Sequence, residues 1–253
     1  MGLLALDFPP ISHLVRWPDL FGTSGPLAIN KVVLLEWLAV IILVAFFFSA
    51  RKGQLVPAGA QNLAESVVDF IRNDIILQTM GSEGLYWTPF LLTLFVFIFV
   101  CNIFEVIPII QMPVNARMAL PFFMTMIVYF IYHFMGVKHQ GVGGYFKSML
   151  FPPGVPKALY ILVSPIEFIT YFFTRPLSLA VRLFANMLAG HLLLATFSIL
   201  TAALFAATYV GAIVPGGLLV ALYGFEVLVA VLQAFIFTIL TAVYIGGAMH
   251  PEH

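Results

Sequence analysis

Charge is scarce in this chain: Asp, Glu, Lys and Arg make up 9% of its 253 residues and balance to a formal net charge of zero. A soluble domain carries about a quarter charged residues, so an ordinary water-soluble fold is excluded. The lack of a basic excess also removes the electrostatic footprint of nucleic-acid binding. Cysteine is scarcer still. Cys101 alone excludes an internal disulfide and any cysteine-based metal cluster. No Gly-x-x-x-x-Gly-Lys-[Ser/Thr] loop occurs, so no P-loop nucleotide site is expected. Met1–Asp7 lacks a basic stretch and the first long apolar run starts only after Lys31, so no cleavable signal peptide is expected. Nothing in the composition calls for a cofactor or a metal.

Apolar residues dominate, at 62% of the chain with mean hydropathy +1.07. A membrane helix needs about 20 mostly apolar residues. Runs of that kind begin at Val32–Ala50, stopped by Arg51-Lys52-Gly53, and continue with Trp87–Gln111 and Met118–Val137. A Gly/Pro-rich loop is expected at Gly141–Pro156. It is followed by a run from about Tyr160 to Val210, too long for one ordinary span. That run is either one long, steeply tilted helix or two segments broken near Pro176. The last run, Leu218–Met249, follows a turn-type linker, Gly211–Gly217. The predicted fold class is an all-α membrane protein. It has about five transmembrane helices in a single integral membrane domain (1–253), and the last two spans (160–249) form a long tilted hairpin.

The stretch 57–84 differs. Leu63, Val67, Phe70, Ile71 and Ile75 recur at helical spacing, with Glu65, Asp69, Arg72 and Asn73 between them. This predicts an amphipathic helix lying in the membrane plane. Its polar face is acidic, which favours a partner subunit over anionic lipid. Five spans put the termini on opposite sides. With the C-terminus inside, Arg51, Lys52, Arg72, Lys138, Lys147 and Lys157 are cytoplasmic, against Arg16, Lys31 and Arg117 outside. The positive-inside rule thus predicts segment 1–31 outside the cell and the C-terminus in the cytoplasm.

The most informative residue is Arg182, in the middle of the fourth apolar run. Placing a guanidinium at bilayer depth costs roughly 2.5 kcal/mol or more, so such a residue points to function. Arginine keeps its proton at any biological pH, so Arg182 acts through its field and relays nothing itself. At about 100° per residue, Arg175, Ser178, Arg182 and Asn186 share one helix face, while His191 turns nearly to the opposite one. On the last run Glu226, Gln233 and Tyr244 line a stripe. His191 is expected to meet Glu226 across a helix contact as a proton relay, and Gln233 to bond Arg182. The bland alternatives are a structural ion pair of Arg182 with Glu226 or Glu105, a purely structural His191–Glu226 bond, and ordinary packing roles for Ser178 and Asn186. Glu167 and Arg175 can equally snorkel to the interface. Glu105, deep in the second span, has no evident partner.

The segment Arg175-Pro-Leu-Ser-Leu-Ala-Val-Arg-Leu-Phe-Ala-Asn-Met-Leu-Ala-Gly-His191 resembles the signature of subunit a of the F-type ATP synthase. Leu232-Gln-Ala-Phe-Ile-Phe-Thr-Ile-Leu-Thr-Ala-Val-Tyr-Ile245 is similar to that family's last helix, and Asn102-Ile-Phe-Glu-Val-Ile-Pro108 to a segment of its second span. The resemblance implies a stator subunit in which Arg182 faces the carboxylates of a rotating c-subunit ring. It implies a proton path along Asn186, His191, Glu226, Gln233, Ser178, Tyr244, Glu167 and Arg175. The implied partners are the c-ring, b-type peripheral stalk subunits, the rest of the F1Fo complex, protons and membrane lipid, and the implied location is a bacterial plasma membrane. Two features depart from common bacterial patterns: the histidine precedes the acid in the His191/Glu226 pair, and Glu167 lies one residue further from Arg175. Met112–Met118 also departs from the usual polar motif. The competing readings are a self-contained secondary transporter, which would show internal repeats, and a haem- or quinone-binding protein, which would want paired intramembrane histidines. Neither explains the two long motifs.

Overall fold

A computed structural model describes residues 29–51, 58–108, 110–152 and 155–249. Most of the expected extracytoplasmic segment 1–31, and Lys52-Gly53 after the first span, lie outside the described residues. Five helical stretches are long and apolar enough to cross a membrane. The chain is an all-α membrane protein.

Helix α1 (Lys31–Ala50) starts where the Asn30 side chain accepts the Val33 N–H at 3.2 Å, satisfying one of the donors a helix leaves orphaned. Helix α2 (Ala60–Asp69) passes into a π-helical turn at Phe70–Ile76 and, after a 3-10 turn at Ser82–Trp87, into α3 (Thr88–Val106). The apolar spacing that predicts an amphipathic helix there has a buried outcome: Ile71, Ile75 and Ile76 are fully enclosed, and the π turn packs against α3 and the C-terminal helix. Leu63, from the same expected face, stays exposed.

The structure corrects two expected boundaries. Helix α4 (Ala119–Leu150) runs through most of the expected Gly141–Pro156 loop and bends only at Gly141, whose φ of 72° and ψ of 161° interrupt the helix. Glycine takes that conformation without the Cβ clash other residues meet. Beyond the bend the chain folds back, so that the Tyr145 ring covers Gly136 and the Tyr145 hydroxyl bonds His133 Nδ1 at 2.8 Å. The last helix, α7 (Ile213–Met249), begins five residues before the expected Leu218. Pro215 sits in its first turn, where a missing N–H costs no helical bond.

The long fourth run is continuous. Helix α5 (Tyr160–Ile169), a π turn at Thr170–Thr174 and α6 (Arg175–Ala207) follow one another without a loop. The wider π turn sits immediately before Pro176, where an α-helix would lose a bond and meet the proline ring. A rod of 50 residues is about 75 Å long, so it lies steeply inclined or projects beyond the hydrocarbon core.

Helices α6 and α7 form an antiparallel hairpin. Arg175 lies by Tyr244, Gly190 by Glu226 and Thr201 by Gly216, so each step along α6 is a step back along α7. The main core lies between this hairpin, α3, α4 and the π turn, around Leu91, Ile98, Leu183, Met187 and Ile245. A second cluster, with Val32, Leu35, Ala39 and Phe104, seats α1 on α3.

Candidate functional site

Polar side chains gather at two levels of the hairpin, with Arg182 between them. The first level joins α3, α6 and α7. His191 Nδ1 stands 3.9 Å from Glu105 Oε1, and the Glu105 side chain is 1% exposed. Glu226 comes from α7 with its carboxylate against Gly190, so tightly that a Cβ on residue 190 would lie 2.5 Å from Oε1. A glycine beside His191 thus lets the α7 carboxylate approach α6. The structure brings Glu226 beside Gly190, the chain neighbour of His191, and sets a third titratable group, Glu105, against His191 itself. Sequence reasoning left Glu105 without a partner because the contact joins residues 86 positions apart, and no periodicity encodes that pairing.

One turn before Glu105, buried Asn102 accepts a 2.6 Å bond from Asn115 Nδ2. Asn115 lies in a 3-10 turn (Val114–Ala116) that packs against α6. This is the segment that departs from the family's usual polar motif, and it still delivers a buried amide. Both Glu105 oxygens, Glu226 Oε2, Asn102 Nδ2 and Asn115 Oδ1 are buried without a hydrogen-bond partner among the described residues. Unmatched buried polar atoms cost about 1–3 kcal/mol each, and more if charged. Such a concentration makes this a polar site within an apolar bundle.

The second level lies at the other end of the hairpin. Arg175 holds its guanidinium carbon 3.6 Å above the Tyr171 ring and 5.1 Å from the Tyr244 ring. Tyr132 of α4 donates to the Tyr171 carbonyl at 2.9 Å and packs near Tyr244. These residues open on a cavity of about 1170 Å³, whose lining includes His139, Gln140, Lys147 and Ser148. Tyr132 and Tyr145 are participants that the sequence reading did not name.

Arg182 is half-buried and makes no ion pair or hydrogen bond among the described residues. The alternative of a structural pair with Glu226 or Glu105 is therefore not what the fold contains, and the expected Gln233–Arg182 bond is not formed. Gln233 is itself buried, 5% exposed, at nearly the level of Arg182 on the facing helix. Asn186, one turn beyond Arg182, is exposed, as are Val181, Ala185, Ala189, Leu228, Val231 and Leu232 around it. Ser178 and Glu167 are partly exposed, and Glu167 joins neither polar level.

Comparison with known proteins gives one consistent match. The profile of the family described as ATP synthase A chain matches residues 33–246. A protein named ATP synthase subunit a from Parafrankia sp. is 42% identical over 222 residues, covering 85% of this chain and 75% of that protein. Its counterpart in Frankia alni is 41% identical, with 94% and 84% covered. That of Rhodococcus erythropolis is 38% identical, with 97% and 89% covered.

Proposed function

We propose a function from one premise: this chain belongs to the ATP synthase A chain family, and it serves as the proton-translocating stator subunit of Fo. The observation that carries the detailed reading is Arg182, a cation without a carboxylate partner among the described residues, half-buried beside an exposed face of small and apolar residues. A buried unpaired charge costs several kcal/mol, and a passing acid group relieves that cost.

Protons enter from outside at the level of His191, Glu105, Glu226 and Asn186, and neutralise a carboxylate of the c-ring. The neutral carboxyl then faces lipid without the cost of a buried charge. After nearly a full turn it reaches Arg182, whose positive field favours the ionised form. The proton leaves through the inner cleft bordered by Ser178, Arg175 and Tyr244. Because Arg182 and the packed core around Leu183 and Met187 separate the two levels, protons pass only with the ring. Each charge crossing yields about 2.3 kcal/mol per 100 mV, so several drive one ATP synthesis on the nucleotide-binding subunits. Gln233 lines the path beside Arg182, and Glu167 stands near its inner mouth. The partners are the c-ring and the b-type peripheral stalk. The chain sits in a bacterial plasma membrane with its N-terminus outside.

The test is Arg182→Lys in inverted membrane vesicles carrying the whole complex. Lysine keeps a charge but is a point donor that can lose its proton when buried. ATP-driven proton pumping is expected to disappear while the complex still assembles. Near-normal pumping would refute an essential guanidinium.

A further inference from the structure

The cavity at the Arg175 end of the hairpin has a chemistry that proton release does not require. Its lining comes from α4, the α5–α6 junction, the end of α7, and Thr79 and Met80 at the end of the short helix Leu77–Thr79. Arg175, Lys147 and His139 line it, and no Asp or Glu stands among the described lining residues. The guanidinium of Arg175 rests on the Tyr171 ring, with Tyr244 on a further side, and makes no ion pair or hydrogen bond among the described residues. Ring stacking fixes the plane of a guanidinium and leaves its N–H edge available, the edge that matches a phosphate or carboxylate in bidentate fashion.

Hydrogen-bonding groups surround the same space. Ser148 and Gln140 are bonded to each other at 2.6 Å, and Tyr132, Tyr145 and Tyr171 face it as well. Met80, Met149, Phe151 and Val243 supply apolar lining beside the cations. Basic pockets between membrane helices bind the headgroups of anionic lipids, pairing cations with phosphate and apolar walls with the adjoining glycerol and acyl carbons.

We propose that this cavity is a binding site for a phosphate-bearing anion, held by Arg175 and Lys147. The phosphate is that of an anionic lipid headgroup or of free inorganic phosphate. The site shares Arg175 and Tyr244 with the inner cleft but does not depend on protons using it, so the test reads binding and not proton flow.

Whole complex is purified and reconstituted into phosphatidylcholine nanodiscs containing phosphatidylglycerol that carries a photoactivatable diazirine near its headgroup. Labelled peptides are mapped by mass spectrometry, and equilibrium binding of radiolabelled inorganic phosphate is measured in parallel. Wild-type complex is expected to label within residues 139–152. Labelling should fall about tenfold in the double variant Arg175→Gln/Lys147→Gln and stay unchanged in Arg51→Gln, which does not line the cavity. Gly144→Glu gives an independent check. A Cβ there meets only Gln140 Cβ, at 3.6 Å, so a carboxylate is added without removing a cation. It is expected to abolish labelling as well. Saturable phosphate binding lost in the same variants, without lipid labelling, would assign the site to the free anion. Labelling and phosphate binding that are absent in the wild type, or unchanged in all three cavity substitutions, would overturn the proposal.

Discussion

Gly190 shows how much one missing methyl group decides. The Glu226 carboxylate occupies the space that a Cβ would fill, with Oε1 and Oε2 2.5 and 2.6 Å from its position. Since the colliding group is the end of a flexible side chain, Gly190→Ala should displace the carboxylate and leave the helices in place. Displacements of about 1 Å at a reacting group cost up to about a hundredfold in rate. Gly190→Ala is therefore expected to assemble normally and lose about tenfold or more of ATP-driven proton pumping. Glu226→Asp, one methylene shorter, should recover part of that loss in the double variant. A Gly190→Ala complex that fails to assemble would contradict this account.

Glu105 separates a structural role from a functional one. A structural ion pair with His191 would make the neutral isostere Glu105→Gln destabilising, because it leaves one partner behind. A carboxylate kept for proton passage makes the same change neutral or stabilising, since a buried group no longer resists desolvation. The second outcome is expected: a melting temperature equal to or above wild type, with proton pumping reduced about tenfold. Reduced melting temperature with intact pumping would assign Glu105 to architecture. The sequence made Arg182, His191 and Glu226 visible, because a charge inside an apolar run stands out on its own. It could not show Glu105 facing His191, nor Asn102 bonded to Asn115, since these pairs exist only once α3, α6 and the 3-10 turn at Val114–Ala116 are packed.

Among the elements, α4 departs most from its sequence pattern. The density of glycine and proline in Gly141–Pro156 suggests a loop, but helix runs on to Leu150, and inside it only Gly141 has non-helical backbone angles. Val142, Gly143 and Gly144 continue as helix because Tyr145 and Met149, one turn apart, are buried against the core. The packing of that returning limb outweighs the weak helix propensity of glycine. Gly141→Ala should therefore destabilise the protein by about 1–2 kcal/mol through its positive φ alone, as nothing lies within 4 Å of a Cβ there. Gly143→Ala, equally uncrowded and without positive φ, serves as the control and should be neutral or slightly stabilising. Thermal unfolding in detergent compares the two. Equal effects would mean that the bend at Gly141 is not held in the folded protein.

At the scale of the whole molecule, the α6–α7 hairpin distinguishes a stator from a carrier. A self-contained transporter alternates access by rocking one set of helices against another. A stator keeps its helices fixed while the partner moves past. The hairpin register offers a way to lock them: a Cβ on Gly216 would lie 3.5 Å from Thr201 Cγ2, near the loop and away from both polar levels. Side chains at the two positions therefore meet, near the spacing at which a disulfide closes, and the single native thiol, buried Cys101, is removed beforehand by Cys101→Ala. In that background Thr201→Cys/Gly216→Cys should cross-link on mild oxidation, whereas Thr201→Cys/Gly224→Cys, about two turns out of register, should not. The cross-linked complex is expected to keep at least about half of its ATP-driven pumping, because the proposed rotation of a ring past a fixed hairpin requires no sliding or splaying of α6 against α7. Loss of pumping on oxidation, restored by reductant, would mean that these two helices move during transport and would return the molecule to the alternating-access class.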